Sequence, residues 1–269
     1  MTKMDLSKKK RIVVKIGTST LTHHKTGRLN IRRVEKLVKI LADLQNEGKE
    51  IILVSSGAVG LGAGRLGLAE KPKDTPTKQA CAAVGQCELM YMYDKLFGEY
   101  GLTVAQLLLT KFVLLEERKR NVQNALTRLI QSKVIPVVNE NDTVAIDELE
   151  LEMGENDSLA ANVAVISDAD LLIIMSDIDG LFDKDPKKND DAQLIPVVEE
   201  ITEDIIASAG GAGSAFGSGG MATKIRAAEI ANAAGIDLVI INGRHPDNLY
   251  GVFENKPVGT VFQAGTTQA

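Results

Sequence analysis

Short apolar runs alternate with helical periodicity along the whole chain. The runs are rich in Val, Ile and Leu and lack polar alternation, which is typical of parallel strands buried on both faces. They predict strands at residues 12–16, 51–54, 103–108, 134–138, 171–175 and 238–241. Between them, apolar residues at helical spacing predict helices at 34–44 (closed by Gly48), 77–98, 116–133 and 157–167. This alternation predicts an α/β fold with a mostly parallel sheet covered by helices.

No shift in composition marks a second domain, so we expect one domain over residues 1–269, with a frayed tail at 263–269. Residues 143–152 alternate apolar and acidic side chains and predict a small exposed hairpin. Open parallel sheets bind their ligands at the carboxyl ends of the strands, so we expect the site residues there.

The segment 210–224, GGAGSAFGSGGMATK, is dense in glycine and runs into an alanine-rich helical pattern. Ordering glycine costs about 0.5–1 kcal/mol per residue in extra entropy, so packing alone does not explain such a run. Bare backbone N–H groups, a helix N-terminus and Lys224 together indicate a phosphate site, and a flexible linker is the alternative. Thr223 before Lys224 rules out a Walker motif. A GxGxxA match at Gly217 lacks both a preceding strand and the following acid of a dinucleotide fingerprint.

Composition excludes several classes of function. The net charge is −5 with no tryptophan and no basic stripe, which disfavours nucleic-acid binding. Cys81 and Cys87 fit no zinc or CxxC spacing, and three histidines make a histidine metal site a poor hypothesis. No apolar run approaches 18 residues, and the N-terminus has no signal-peptide core, so we expect a cytoplasmic protein without a membrane span.

The first two predicted strands end in candidate anion-binding residues. Lys15 lies within the first strand, where a buried lysine is costly unless it meets an anion. An edge-strand lysine pointing to water is the alternative. The second strand runs into Ser55, Ser56 and Gly57, whose hydroxyl and N–H groups would suit a carboxylate or phosphate. An ordinary strand–helix loop is the alternative there.

Polar residues also follow the fourth predicted strand. Asn139, Asn141 and Asp142 can bind an ammonium and a carboxylate together, as an α-amino acid requires, whereas a solvated turn is the alternative. Asn156 and Asp157 begin the next helix. Asp157 is either a helix N-terminal carboxylate or an inward-facing catalytic one.

The motifs VVKIGTST, VSSGAVGLG, VVNENDTVA, MGENDSLAA, SDIDGLFDKDP and GSGGMATKIRAAEIANAAG occur in this order. Together they resemble the glutamate 5-kinases of the amino acid kinase family, over residues 11–262. The resemblance implies a three-layer αβα sandwich, with a glutamate-binding lobe at about 11–165 and an ATP-binding lobe at about 166–262. It also implies transfer of phosphate from ATP to L-glutamate, giving L-glutamyl 5-phosphate, the first step of proline biosynthesis.

The resemblance implies roles for the residues that match the family motifs. Lys15 and Lys224 would stabilise the transferring phosphoryl group, and Asp157 would hold both lysines. The implied glutamate-binding residues are Ser56, Gly57, Asn139, Asp142 and Asn156. The implied ATP-binding residues are Lys15, Ser176, Asp177, Ser218, Gly219, Gly220, Met221, Ala222, Thr223 and Lys224. Mg²⁺ would arrive on ATP, without a metal site of the protein's own.

The resemblance further implies a homo-oligomer, feedback inhibition by L-proline and a glutamyl phosphate reductase as pathway partner. Many relatives continue into a C-terminal PUA domain, which this sequence lacks, so we expect a single-domain form. Two alternatives stay open. One is a kinase of the same fold acting on acetylglutamate, aspartate or carbamate, and the other is a non-catalytic amino-acid sensor.

Overall fold

The computed structural model describes residues 5–23, 27–68, 70, 72–110, 116–144, 156–208 and 220–265. The strands are β1 (Arg11–Ile16), β2 (Glu50–Ser55), β3 (Val104–Leu109), β4 (Ile135–Glu140), β5 (Leu171–Ser176), β6 (Val197–Val198), β7 (Asp237–Asn242) and β8 (Thr260–Phe262). The helices are α1 (Thr18–Leu21), α2 (Ile31–Asn46), α3 (Ala58–Arg65), α4 (Thr75–Gly98), α5 (Glu116–Gln131), α6 (Asn156–Ile166), α7 (Glu203–Ser208), α8 (Met221–Ala233) and α9 (Asn248–Phe253), and a 3₁₀ turn covers Leu6–Lys8.

The eight strands form one sheet in the order β3-β4-β2-β1-β5-β7-β8-β6. All pairs are parallel except β7 with β8, which is antiparallel. β1 lies inside the sheet, with Lys15 opposite Val54 of β2 and Ile174 of β5. The edge-strand alternative for Lys15 is therefore wrong.

Apolar side chains cover both faces of the sheet. Along β1, Val14 and Ile16 belong to one cluster with residues of α2, α4 and α9, whereas Val13 belongs to the other with residues of α5, α6 and α8. Successive side chains of a strand point to opposite faces, so these clusters are the two interfaces of a helix–sheet–helix sandwich. The predicted fold class is confirmed.

The predicted elements correspond to observed ones, with shifts of a few residues at their ends. Gly48 follows α2 with a φ of 98°, a left-handed conformation that favours glycine, as predicted for a helix end. The hairpin predicted at 143–152 lies almost entirely outside the described residues, as do 210–219 of the glycine-rich segment and most of the predicted tail. No helix among the described residues combines the length and the apolar composition needed to cross a bilayer.

Two glycines bring α3 and α4 into backbone contact. A Cβ at Gly62 would lie 1.8 Å from the carbonyl oxygen of Cys81, and one at Gly85 would lie 1.8 Å from that of Ala58. Neither distance is possible, so only glycine permits this approach. The close packing holds the α4 residue Gln86 beside the loop that follows β4.

Candidate active site

Two lysines converge on one buried carboxylate at the carboxyl edge of the sheet. Lys15 lies two residues after Val13 and faces the side of the sheet that α6 and α8 cover. Its Nζ is 2.7 Å from Oδ1 of Asp157, in the first turn of α6, and Lys224 Nζ in the first turn of α8 is 3.1 Å from Oδ2. The three side chains are 11%, 1% and 5% exposed, respectively. The structure therefore brings together the three residues predicted to be catalytic.

The two lysines favour the ionised form of Asp157. Burial raises the pKa of Asp157, but the charges and hydrogen bonds of Lys15 and Lys224 outweigh burial, and the net pKa is lowered. Two lysine side chains face this one carboxylate, so the cluster has an excess of positive charge in a water-poor setting. Such a charge attracts an anionic ligand strongly, because a low dielectric weakens its screening.

The N-terminus of α8 also faces the cluster. Thr223 Oγ1 lies 3.0 Å from Oδ2 of Asp157 and 2.8 Å from the carbonyl oxygen of Gly220, which precedes the first turn. Gly220 provides no side-chain cap for the helix N–H groups. Met221 and Ala222 complete the turn. Gly220 to Lys224 therefore lie where a phosphate could be bound, whereas Ser218 and Gly219 lie outside the described residues.

A chain of polar side chains connects the ends of β2, β4 and α6. Asn156 Nδ2 donates to Ser56 Oγ at 2.5 Å and to Asn139 Oδ1 at 3.2 Å. Asn139 Nδ2 donates in turn to Gln86 Oε1 at 3.0 Å. Asn139 is a buried strand residue and not part of a solvated turn. The predicted substrate residues Ser56, Asn139 and Asn156 thus form one hydrogen-bonded group.

A cavity of about 220 Å³ opens beside this chain of polar side chains. Its walls come from α3, α4, β3 and the loop after β4, and include Gln86, Glu140, Asn141 and Asp142. Burial raises the pKa of Asp142 above its usual value. Asn141 Oδ1 accepts from Thr143 Oγ1 at 2.5 Å. Gln86 is not predicted from the sequence, because a single polar residue on a long helix does not indicate a binding site unless its spatial neighbours are known.

The remaining predicted residues lie at other strand ends. Gly57 precedes α3 with a φ of 107°, which requires glycine. Ser176 is the last residue of β5, is buried, and its Oγ lies 3.3 Å from Oδ1 of Asp177, which is exposed. β5 is the neighbour of β1, so both residues follow the strand next to the one that carries Lys15.

A mostly parallel sheet with a lysine–carboxylate–lysine cluster at its carboxyl edge gives an α/β protein with a site suited to an anion. More specifically, the chain belongs to the amino acid kinase family, whose model matches residues 10–242. It is therefore a kinase.

Among curated proteins, the chain is 54% identical to the glutamate 5-kinase of Clostridium tetani over 256 residues, which cover 95% of each chain. It is 50% identical to that of Clostridium perfringens over 262 residues, covering 96% of this chain and 97% of the other. The glutamate 5-kinase of Moorella thermoacetica is longer. At 51% identity the match covers 97% of this chain and 68% of that protein.

Solved structures with the same fold are much more distant in sequence. UMP kinase from Ureaplasma parvum superposes with a TM-score of 0.65 at 15% identity, covering 95% of this chain and 99% of the other. Carbamate kinase from Giardia lamblia bound to AMP-PNP gives 0.64 at 18% identity, covering 96% and 99%. At this identity the likeness shows the fold alone.

Proposed function

We propose that the protein phosphorylates the γ-carboxylate of L-glutamate with ATP, giving L-glutamyl 5-phosphate and ADP. The observation that carries the proposal is the 54% identity, over 95% of both chains, to a protein named glutamate 5-kinase. The lysine–carboxylate–lysine cluster supports it, because this reaction needs positive charge between two anionic reactants. The product is the first intermediate of proline biosynthesis.

Positioning and charge neutralisation are the main requirements of this chemistry. A carboxylate is already nucleophilic at neutral pH, so no general base is needed. Lys15 and Lys224 reduce the repulsion between the γ-carboxylate and the triphosphate and stabilise charge on the transferring phosphoryl group. Asp157 holds both ammonium groups in position. The ATP phosphates lie against Gly220 to Lys224, with Ser218 and Gly219 on the same segment, and the nucleotide extends toward Ser176 and Asp177.

Glutamate binds in the half of the molecule formed by residues 11–165, within the cavity and against the hydrogen-bonded polar side chains beside it. Its γ-carboxylate lies near Ser56, Gly57 and Asn156, close to the lysines. Asp142 receives the ammonium group, and Asn139 orients Asn156 from behind. ATP occupies the half formed by residues 166–262, so the two anions meet at the β1–β5 boundary.

Magnesium would arrive bound to the phosphates of ATP. Both Asp157 oxygens face lysine ammonium groups, which repel a cation. Within the described residues, no group of three or more His, Cys, Asp or Glu is arranged to hold a metal ion. Mg²⁺ bound by phosphate oxygens would neutralise part of the triphosphate charge, as it usually does with few protein ligands.

A hydroxamate assay tests the proposal directly. With ATP, Mg²⁺, glutamate and hydroxylamine, we expect ADP and γ-glutamyl hydroxamate in equal amounts. Lys224→Met should lower kcat by roughly 10²–10³-fold, because one electrostatic contact to developing charge is lost. Lys39→Met, which removes an exposed lysine from α2, is the matched control and should leave kcat unchanged. Glutamate-dependent ADP without hydroxamate would contradict a carboxylate acceptor. Equal activity with acetylglutamate, aspartate or carbamate would contradict the proposed substrate.

The cellular setting is part of the same proposal. An acyl phosphate hydrolyses readily, so a glutamyl phosphate reductase in the cytoplasm would consume it. L-proline, which is a cyclic relative of the product, would inhibit by feedback, and the enzyme would work as a homo-oligomer. The acidic net charge of −5 supports the expectation that nucleic acids are not partners.

A further inference from the structure

Gln86 has a buried donor with no acceptor. Its side chain lines the cavity and is only 8% exposed, while Nε2 has no hydrogen-bond partner among the described residues. A buried amide that lacks an acceptor is destabilising, so native proteins rarely retain one without a reason. A ligand oxygen in the cavity would supply the missing acceptor.

The polar chain fixes which end of the Gln86 amide is available. Asn156 donates to Asn139 Oδ1, so the Nδ2 of Asn139 is turned toward Gln86. Gln86 must therefore present Oε1 to Asn139, at 3.0 Å. Its Nε2 is directed away from the chain and stays free to donate elsewhere. Close α3–α4 packing at Gly85 holds this residue in place.

Resting on the function proposed above, we infer that Gln86 Nε2 binds the α-carboxylate of the amino-acid substrate. The γ-carboxylate must lie near Lys15 and Lys224 to react. The ammonium and α-carboxylate share one carbon, so both occupy the same part of the site. Asp142 offers an acceptor for the ammonium, and Gln86 lines the same cavity with a donor of the kind that a carboxylate requires. Gln86 thus selects for a free α-carboxylate.

A substrate exchange tests this contact. Isoglutamine, the α-amide of glutamate, keeps the ammonium and the γ-carboxylate but replaces one α-carboxylate oxygen by NH₂. The wild-type protein should prefer glutamate in kcat/KM by roughly 5- to 10-fold. The amide oxygen of isoglutamine can still accept from Gln86 Nε2, but this neutral hydrogen bond is weaker than one to a charged carboxylate. Gln86→Glu retains the acceptor for Asn139 but replaces the donor by a carboxylate. It should reverse the preference, because a carboxylate accepts from the amide NH₂ and repels the α-carboxylate.

Two further variants distinguish the loss of the Gln86 hydrogen bond from the effect of an added negative charge, and folding is checked for each. Cys87→Glu adds the same charge at the next position lining the cavity and should shift the preference far less than Gln86→Glu. Gln86→Leu removes the donor without adding charge and should raise KM for glutamate while bringing the two substrates close to equal. Each variant is compared with wild type by circular dichroism and melting temperature.

The outcomes distinguish this inference from the proposed function. A folded wild-type protein that phosphorylates neither substrate overturns both. A wild-type protein active on glutamate, with Gln86→Glu and Cys87→Glu shifting the preference equally, overturns the α-carboxylate contact alone. So does a Gln86→Leu variant with unchanged discrimination. Reversal in Gln86→Glu only, together with loss of discrimination in Gln86→Leu, supports it.

Discussion

Asp157 is buried between two ammonium groups, so its charge affects stability as well as chemistry. Asp157→Asn leaves two buried lysines without their anion and should lower the free energy of unfolding by about 3–5 kcal/mol at pH 7. The folded-state pKa of Asp157 is lowered, so its stabilising contribution is present above the unfolded pKa near 3.8. That contribution is lost as pH falls through the folded pKa. Urea denaturation of both proteins between pH 3 and 8 measures the difference.

The control for this experiment is an exposed ion pair. Asp191 lies 2.6 Å from Lys184 but is 79% exposed, so Asp191→Asn should change stability by only about 0–1 kcal/mol. If the gap between wild type and Asp157→Asn stayed constant down to pH 3, the folded-state pKa of Asp157 would not be lowered below its unfolded value.

Single residues also show what the sequence could predict about the site. Lys15 and Lys224 are unusual on their own, as a charge in a buried strand and a lysine that ends a glycine run. Asp157 at a helix start is not unusual, and only the family resemblance implies its catalytic role. Gln86 was not predicted, since its importance depends on Asn139, more than fifty residues away in sequence. Only the packing of α4 beside β4 reveals an amide whose oxygen is bound and whose nitrogen is not.

At the scale of elements, the α3–α4 contact predicts a sharp difference between two glycines of one helix. Gly62→Ala places a methyl group 1.8 Å from the Cys81 carbonyl oxygen and should destabilise by about 1–3 kcal/mol, since the helices must separate. Gly64→Ala meets nothing within 4 Å and should stabilise by roughly 0.5–1 kcal/mol, as alanine is the better helix former. Thermal melts of the two variants test this.

Because this packing also positions Gln86, Gly62→Ala should raise KM for glutamate and leave KM for ATP nearly unchanged. Gly64→Ala should leave both constants at the wild-type value. Equal melting temperatures for the two variants would mean that the helices do not depend on backbone contact.

Strands can be predicted from the sequence where the apolar run is long enough. The internal strands β1, β2, β4, β5 and β7 are continuous apolar runs because helices cover both faces, and all were predicted. β6 and β8 were not, as they have only two and three residues. Their pairing, with β8 antiparallel to β7, depends on contacts distant in sequence, which no local pattern encodes.

At the scale of the whole molecule, the two halves of the chain share one sheet and both cores. β1 to β4 form one side and β5 to β8 the other, joined by the pairing of β1 with β5. Each core cluster contains residues from both halves. Unfolding one half would expose apolar surface of the other, so we expect the halves to unfold together.

Hydrogen exchange under native conditions tests this cooperativity with β2 in one half and β7 in the other. Their slowest amides should exchange by the same opening, with equal free energy and equal dependence on denaturant. A nonhydrolysable ATP analogue at about 100 times its Kd should then add about 2.7 kcal/mol to both openings, although it binds mainly to one half. The reason is that an opening which breaks the β1–β5 junction also separates Lys15 and Asp157 from Lys224. Protection gained by β7 alone would show that the halves open independently and that the nucleotide does not stabilise the glutamate side.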